Sequence, residues 1–329
     1  MVKTNSLKAW ILAARPKTLT AAAVPVLIGI AHAYKDTMLQ KTGGTFDSLD
    51  MYFMTNYSHI QFQWIPAVLC LFFAWIMQID SNLINDYFDF KKGNDDETRL
   101  GPKRACAEGW ITPKAMMIGI AITTILGCMV GLPLILYGGW TMILIGILCV
   151  VFCFLYTTTF SYIGMGDILV VLFFGIVPVC GTYYVIMPDN WTTVTGEVFM
   201  SSIACGLVVD CLLMVNNYRD RENDAKAKKI TLVIKLGEKT SELLYMHLGF
   251  VGVAIMIITA FYELEIVNSY QPVYLLYLGY AIIHRNTYKK MVKIKKGKRL
   301  NQILSETARN IFIFGITSFI AILLPVLFK

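Results

Sequence analysis

The chain has 329 residues, of which 56% are apolar and 16% charged, with a net charge of +7. A soluble domain of this size rarely looks like this, whereas a polytopic membrane protein does. The excess of positive charge lies in short segments between apolar runs, which argues for anionic lipid headgroups and against nucleic acid as a partner.

A helix that spans the hydrocarbon core needs roughly 20 mostly apolar residues. Such runs occur near 18–34, 63–84, 113–134, 138–157, 167–187, 197–217, 242–262, 267–284 and 309–328. The expected fold is therefore all-α: about nine transmembrane helices bundled around a central cavity. The start Met1-Val2-Lys3 opens no short apolar stretch ending in small residues, so no removable signal peptide is expected. With the N-terminus in the cytoplasm, 26 of the 29 Lys and Arg fall on the cytoplasmic side, as the positive-inside rule requires. The eight cysteines form no CxxC pair and the four histidines no cluster, so zinc and haem sites are not expected.

In chain order, Arg15 and Lys17 open the first span. Asn82, Asn85, Asp86 and Asp89 close the second, and Asp95 follows. Arg99 and Arg104 lie in the next loop. Tyr156, Tyr162 and Asp167 belong to the link between spans four and five. Asp210, Asn216, Asn217, Asp220 and Asp224 close the sixth span, and Lys228 and Lys229 come next. The segments Asn85–Asp89 and Asn216–Asp220 share one pattern, N-[D/N]-Y-x-D. Four spans separate them, so both open on one membrane face. This reads as two four-helix halves, about 18–160 and 161–284, plus a ninth helix over 309–328, in a single membrane domain.

At 100° per residue, Asn82, Asn85, Asp86 and Asp89 fall within an arc of about 100°. The second set, with Asp210, spans about 120°. Asp80 falls opposite the first arc and is left outside the site. Carboxylates in membrane helices are functional by default. Mg²⁺ prefers oxygen ligands and binds through one or two carboxylates plus substrate phosphates. Two facing acidic sets therefore suit a magnesium-bound diphosphate, with Asp86, Asp89, Asp95, Asp220 and Asp224 as metal ligands. Asn82, Asn85, Asn216 and Asn217 are candidate diphosphate contacts, as are Arg99 and Arg104 in the loop that follows the first site, and Lys228 and Lys229, since lysine ammonium groups bind phosphate as point charges. Arg15, Lys17, Tyr156, Tyr162, Asp167 and Asp210 are left as candidates for the acceptor or the cavity wall. A cation transporter that uses Asp86, Asp89, Asp220 and Asp224 as an ion path is the alternative of another class.

The segments Ala14–Leu19, Asn85–Gly93, Arg99–Arg104, Gly109–Ile111, Phe173–Gly175, Gly181–Tyr184, Asn216–Asp220 with Asp224, Thr231-Leu232 and Leu300-Asn301 are similar to those of the UbiA-type membrane prenyltransferases. Within that family they most resemble the branch that acts on 1,4-dihydroxy-2-naphthoate. The chain departs from the wider pattern at Gly93, Thr20, Asp80 and Asp210, and lacks the usual Gly-Pro after Tyr156-Thr157. The resemblance implies a Mg²⁺-dependent transfer of a polyprenyl group from its diphosphate to an aromatic ring, with loss of carbon dioxide from the alkylated carbon. It implies a cell-membrane enzyme with its site toward the cytoplasm, and 4-hydroxybenzoate is the alternative acceptor.

Overall fold

The computed structural model describes residues 2–41, 61–93, 99–187, 193–267 and 272–327. Among them are no strands. The helices in order are α1 (Leu7–Ala14), α2 (Pro16–Lys41), α3 (Trp64–Lys91), α4 (Pro113–Gly138), α5 (Thr141–Ile163), α6 (Gly166–Ile186), α7 (Gly196–Lys226), α8 (Leu232–Leu236), α9 (Glu238–Val267), α10 (Leu276–Ile294) and α11 (Leu300–Leu327). Local chemistry fixes several of their starts. The hydroxyls of Ser6, Thr112, Thr195 and Thr231 each accept a backbone N–H from the first turn of the helix that follows. Pro113 takes the first helical position of α4, where its missing N–H has no consequence.

Eight described helices are long and apolar enough to cross a membrane: α2 to α7, α9 and α11. The expected span 267–284 lies partly outside the described residues. The helix found there, α10, begins later than expected, after a 3₁₀ turn at Val273–Leu275, and carries Arg285, Lys289, Lys290 and Lys293 along its second half.

The bundle is graded from centre to rim. α7 is the most buried helix; α2 packs against α11 and α6, and α7 against α9. α4 and α5 lie outermost and turn Ile118, Ile122, Ile125, Leu144 and Ile147 away from the protein. A multi-pass membrane protein presents such faces to lipid. Where α6 crosses α7, Gly175 and Gly206 let the backbones meet. A Cβ on Gly206 would stand 2.8 Å from the Val171 carbonyl oxygen, and one on Gly175 2.5 Å from that of Ser202.

Two features of the fold position the site. α3 and α7 run well past the expected ends at 84 and 217, so both N-[D/N]-Y-x-D segments are helical. Nothing stops α3 before Gly93, whose φ of +73° is the left-handed cap. The link between spans four and five is not a loop either. α5 continues through a π-helical turn at Tyr156–Phe160 and stops at Gly164, φ +79°. Asp80, deep in α3, accepts hydrogen bonds from Thr123 and Thr124 of α4 at 2.5 and 2.8 Å, which gives it a structural task outside the acidic face.

Candidate active site

The C-terminal turns of α3 carry the first polar set. Asp89 accepts a hydrogen bond from Arg104 Nη2 at 2.8 Å. Asp86 is buried, and its two oxygens accept the backbone N–H groups of Ala105 and Cys106, each at 2.8 Å. Asn85 Oδ1 accepts from Thr157 Oγ1 at 2.7 Å, which docks the π turn of α5 on the motif. Asn82 looks the other way: its amide nitrogen donates to the Ala14 carbonyl and to Thr18 Oγ1, tying α3 to the junction of α1 and α2. Asp95 lies outside the described residues.

The second set lies on α7. Arg219, buried inside the motif, grips Asp220 through Nε (2.8 Å) and Nη2 (2.5 Å), and Nη2 also donates to Asn216 Oδ1 at 2.8 Å. Asp224 pairs with Lys229 at 3.6 Å, while its Oδ2 is buried with no hydrogen-bond partner among the described residues. Asp220 and Asp89 lie close enough for their charges to act on Asp224.

The two sets meet through the loop that follows the first. Arg219 Nη1 donates to Asn301 Oδ1 at 3.0 Å, and Asn301 Nδ2 donates to the Leu100 carbonyl at 2.8 Å. The guanidinium lies on Gly101 so closely that a Cβ there would come within 2.7 Å of Nη2. The pattern N-[D/N]-Y-x-D hides this residue, because its fourth position is Phe88 in one copy and Arg219 in the other. That substitution is the signal by which it could have been found.

Arg15, between α1 and α2, is half-buried, with Nη2 enclosed and without a hydrogen-bond partner among the described residues. Burial, together with repulsion from Arg104 and Arg99, pushes its pKa down to about 9 against the pull of Asp86 and Asp89. It therefore stays charged at neutral pH, ready for an anion. Arg99 Nε donates to the Pro102 carbonyl, shaping the turn that carries Arg104. Lys17 and Lys228 are exposed.

Beside the second set is a small pocket, lined among others by Tyr156, Asp167, Asn217, Lys229 and Thr231. Asp167 Oδ1 and Asp210 Oδ1 are both buried without a hydrogen-bond partner among the described residues, and the charge of Asp167 acts on Asp210. Tyr162 holds the Lys92 ammonium 3.8 Å above its ring. Among the described residues no three His, Cys, Asp or Glu side chains come together as a metal cage. Carboxylates on two helices, Asp89 and Asp220 within charge reach of Asp224, and an unpartnered Asp224 oxygen among the described residues suit a Mg²⁺ that completes its shell with phosphate and water.

A profile of the UbiA prenyltransferase family matches residues 51–304. The chain is 34% identical over 240 residues to the 1,4-dihydroxy-2-naphthoate octaprenyltransferase of Escherichia coli (strain K12), covering 70% of this chain and 69% of that protein. It is 31% identical over 243 residues to the protein of the same name from Mycobacterium tuberculosis (strain ATCC 25618 / H37Rv), covering 73% of each. A solved UbiA homolog from Archaeoglobus fulgidus, bound to DMAPP and Mg²⁺, shares the fold with a TM-score of 0.59 at 14% identity, over 95% of this chain and 98% of that one.

Proposed function

Because the chain belongs to the UbiA prenyltransferase family, we infer that it transfers a polyprenyl group from polyprenyl diphosphate to 1,4-dihydroxy-2-naphthoate. Carbon dioxide and diphosphate leave, and the product is the quinol form of demethylmenaquinone, since the transfer leaves both ring hydroxyls in place. The observation that carries the reading is the contact between the two motifs: Arg219 of the second lies under the loop that follows the first, so their carboxylates face one reaction space.

Asp89, Asp220 and Asp224, with the amide oxygens of Asn85 and Asn216, are the groups that would hold Mg²⁺ against the diphosphate. When bound, Mg²⁺ supplies the positive charge that makes diphosphate a better leaving group. Arg15, Arg99, Arg104 and Lys229 surround the same space and neutralise phosphate oxygens as the C–O bond breaks. The allylic carbon then becomes cationic, and the electron-rich ring attacks it. Tyr156 and Asp167 in the pocket wall, with Asp210 within reach of the Asp167 charge, are the groups suited to the acceptor's hydroxyls, while apolar helix faces hold the prenyl tail alongside membrane lipid. The protein resides in the cell membrane with its N-terminus and reaction space on the cytoplasmic side. The supporting observation is the bias of 26 of 29 basic residues to that side.

Purified protein in lipid tests the reading, with polyprenyl diphosphate and either 1,4-dihydroxy-2-naphthoate or 4-hydroxybenzoate, in Mg²⁺ and in EDTA. Prenylated product from the naphthoate in Mg²⁺, lost in EDTA, is the expected result. Product from 4-hydroxybenzoate alone overturns the acceptor, and equal product in EDTA overturns the metal.

A further inference from the structure

Asp86 and Asp89 belong to one acidic motif, yet their surroundings differ. The Asp89, Asp220 and Asp224 side chains keep 21%, 17% and 15% of their surface exposed, whereas Asp86 keeps 1% as a residue. Both Asp86 oxygens already accept the N–H groups of two consecutive residues, Ala105 and Cys106, inside the protein, whereas Asp220, also bonded through both oxygens, to Arg219, keeps an exposed edge. Successive amides aimed at one carboxylate form an anion-binding nest. A Mg²⁺ ion that keeps several of its waters has no room beside a carboxylate so enclosed.

The nest belongs to a fixed piece of structure. The Ala105 carbonyl accepts from Trp110 and Ile111, and the Trp110 carbonyl accepts from Asn5 near the N-terminus at 2.7 Å. Ala105, Cys106 and Ile111 are themselves buried. Arg104, one residue before the nest, reaches Asp89. Two charge-assisted bonds at 105 and 106 thus determine where the 104 guanidinium stands.

We propose that Asp86 is a positioning residue, which fastens the loop 99–111 over the end of α3 and sets Arg104 at the diphosphate, leaving metal binding to Asp89, Asp220 and Asp224. The proposal rests on the reading that these motifs face a metal-bound diphosphate.

Asp86→Asn keeps the shape but turns an amide NH₂ toward one of the two N–H donors, so one bond is lost. Mn²⁺ binding by electron paramagnetic resonance, with geranyl S-thiolodiphosphate present, reads the metal; hydrogen exchange reads the loop. Asp86→Asn is expected to bind Mn²⁺ within about twofold of the unaltered protein, while residues 104–111 exchange faster and the diphosphate analogue binds about tenfold more weakly. Asp89→Asn is expected to weaken Mn²⁺ about tenfold or more. Ala105→Pro removes the donor to Oδ2 and touches no carboxylate. It is expected to speed exchange in 104–111 in the same way and leave Mn²⁺ affinity alone.

The proposal is overturned if Asp86→Asn loses Mn²⁺ as Asp89→Asn does with loop exchange unchanged. It is equally overturned if Ala105→Pro leaves both exchange and analogue affinity as they were. If the unaltered protein binds no Mn²⁺ beside the analogue, the functional reading fails, and the loop fastening is still judged by exchange.

Discussion

Arg219 is the residue on which most of the polar geometry converges. A buried guanidinium is tolerable only when its donors are satisfied, and here Asp220, Asn216 and Asn301 accept them from three directions. Lysine cannot replace the planar fork. Arg219→Lys is expected to lower kcat/KM about tenfold to a hundredfold, read in the prenyl-transfer assay, with Asp220 no longer held in place. On the proposed reading, Asp89→Asn and Asp220→Asn each remove a carboxylate that would hold Mg²⁺ against the diphosphate. About a hundredfold or greater loss of kcat is expected, with little change in the thermal midpoint because neither fills core space; near-normal turnover in both would exclude the clamp. The acidic positions were legible from the repeated pattern and the helical arcs. The partners of Asp86 were not, because its donors come from Ala105 and Cys106, and only a folded loop brings a backbone N–H across 19 and 20 positions of chain. Asn82 likewise shared the arc of Asp86, yet its bonds to Ala14 and Thr18 depend on a crossing that periodicity does not encode.

At the scale of the elements, the apolar runs located the helices well but placed their ends too early. Hydropathy falls where the polar motifs begin, whereas a helix ends only where its hydrogen-bond ladder does, at Gly93 for α3 and at the end of the Lys226 turn for α7. The π turn at Tyr156–Phe160 was hidden for a related reason: one extra residue per turn leaves no mark on composition, though it is what brings Thr157 to Asn85. The crossing of α6 and α7 at Gly175 and Gly206 sets how deep α7 sits. Gly206→Val would drive a side chain into the Val171 backbone and is expected to destabilise the protein by about 1–3 kcal/mol. A lower thermal midpoint in detergent, with KM for both substrates little changed in the folded fraction, is the outcome that checks it.

For the whole molecule, the termini of α3, α7 and α11 come together on one face, and the basic stretch 285–299 ends beside them, since Asn301 reaches Arg219. Trypsin added to inside-out vesicles is expected to cut within 289–299, whereas in right-side-out vesicles that segment should be spared; the reverse pattern would invert the proposed orientation. The outer wall of the bundle obeys a different logic from its centre. In water, burying Ile118 or Ile122 would draw α4 inward, but lipid tails are as apolar as those side chains, so that force is absent. What remains is contact and polarity. The carboxylate of Asp80 with the two hydroxyls of Thr123 and Thr124 therefore works as a hasp, adding a polar fastening to the close packing of α4 on α3.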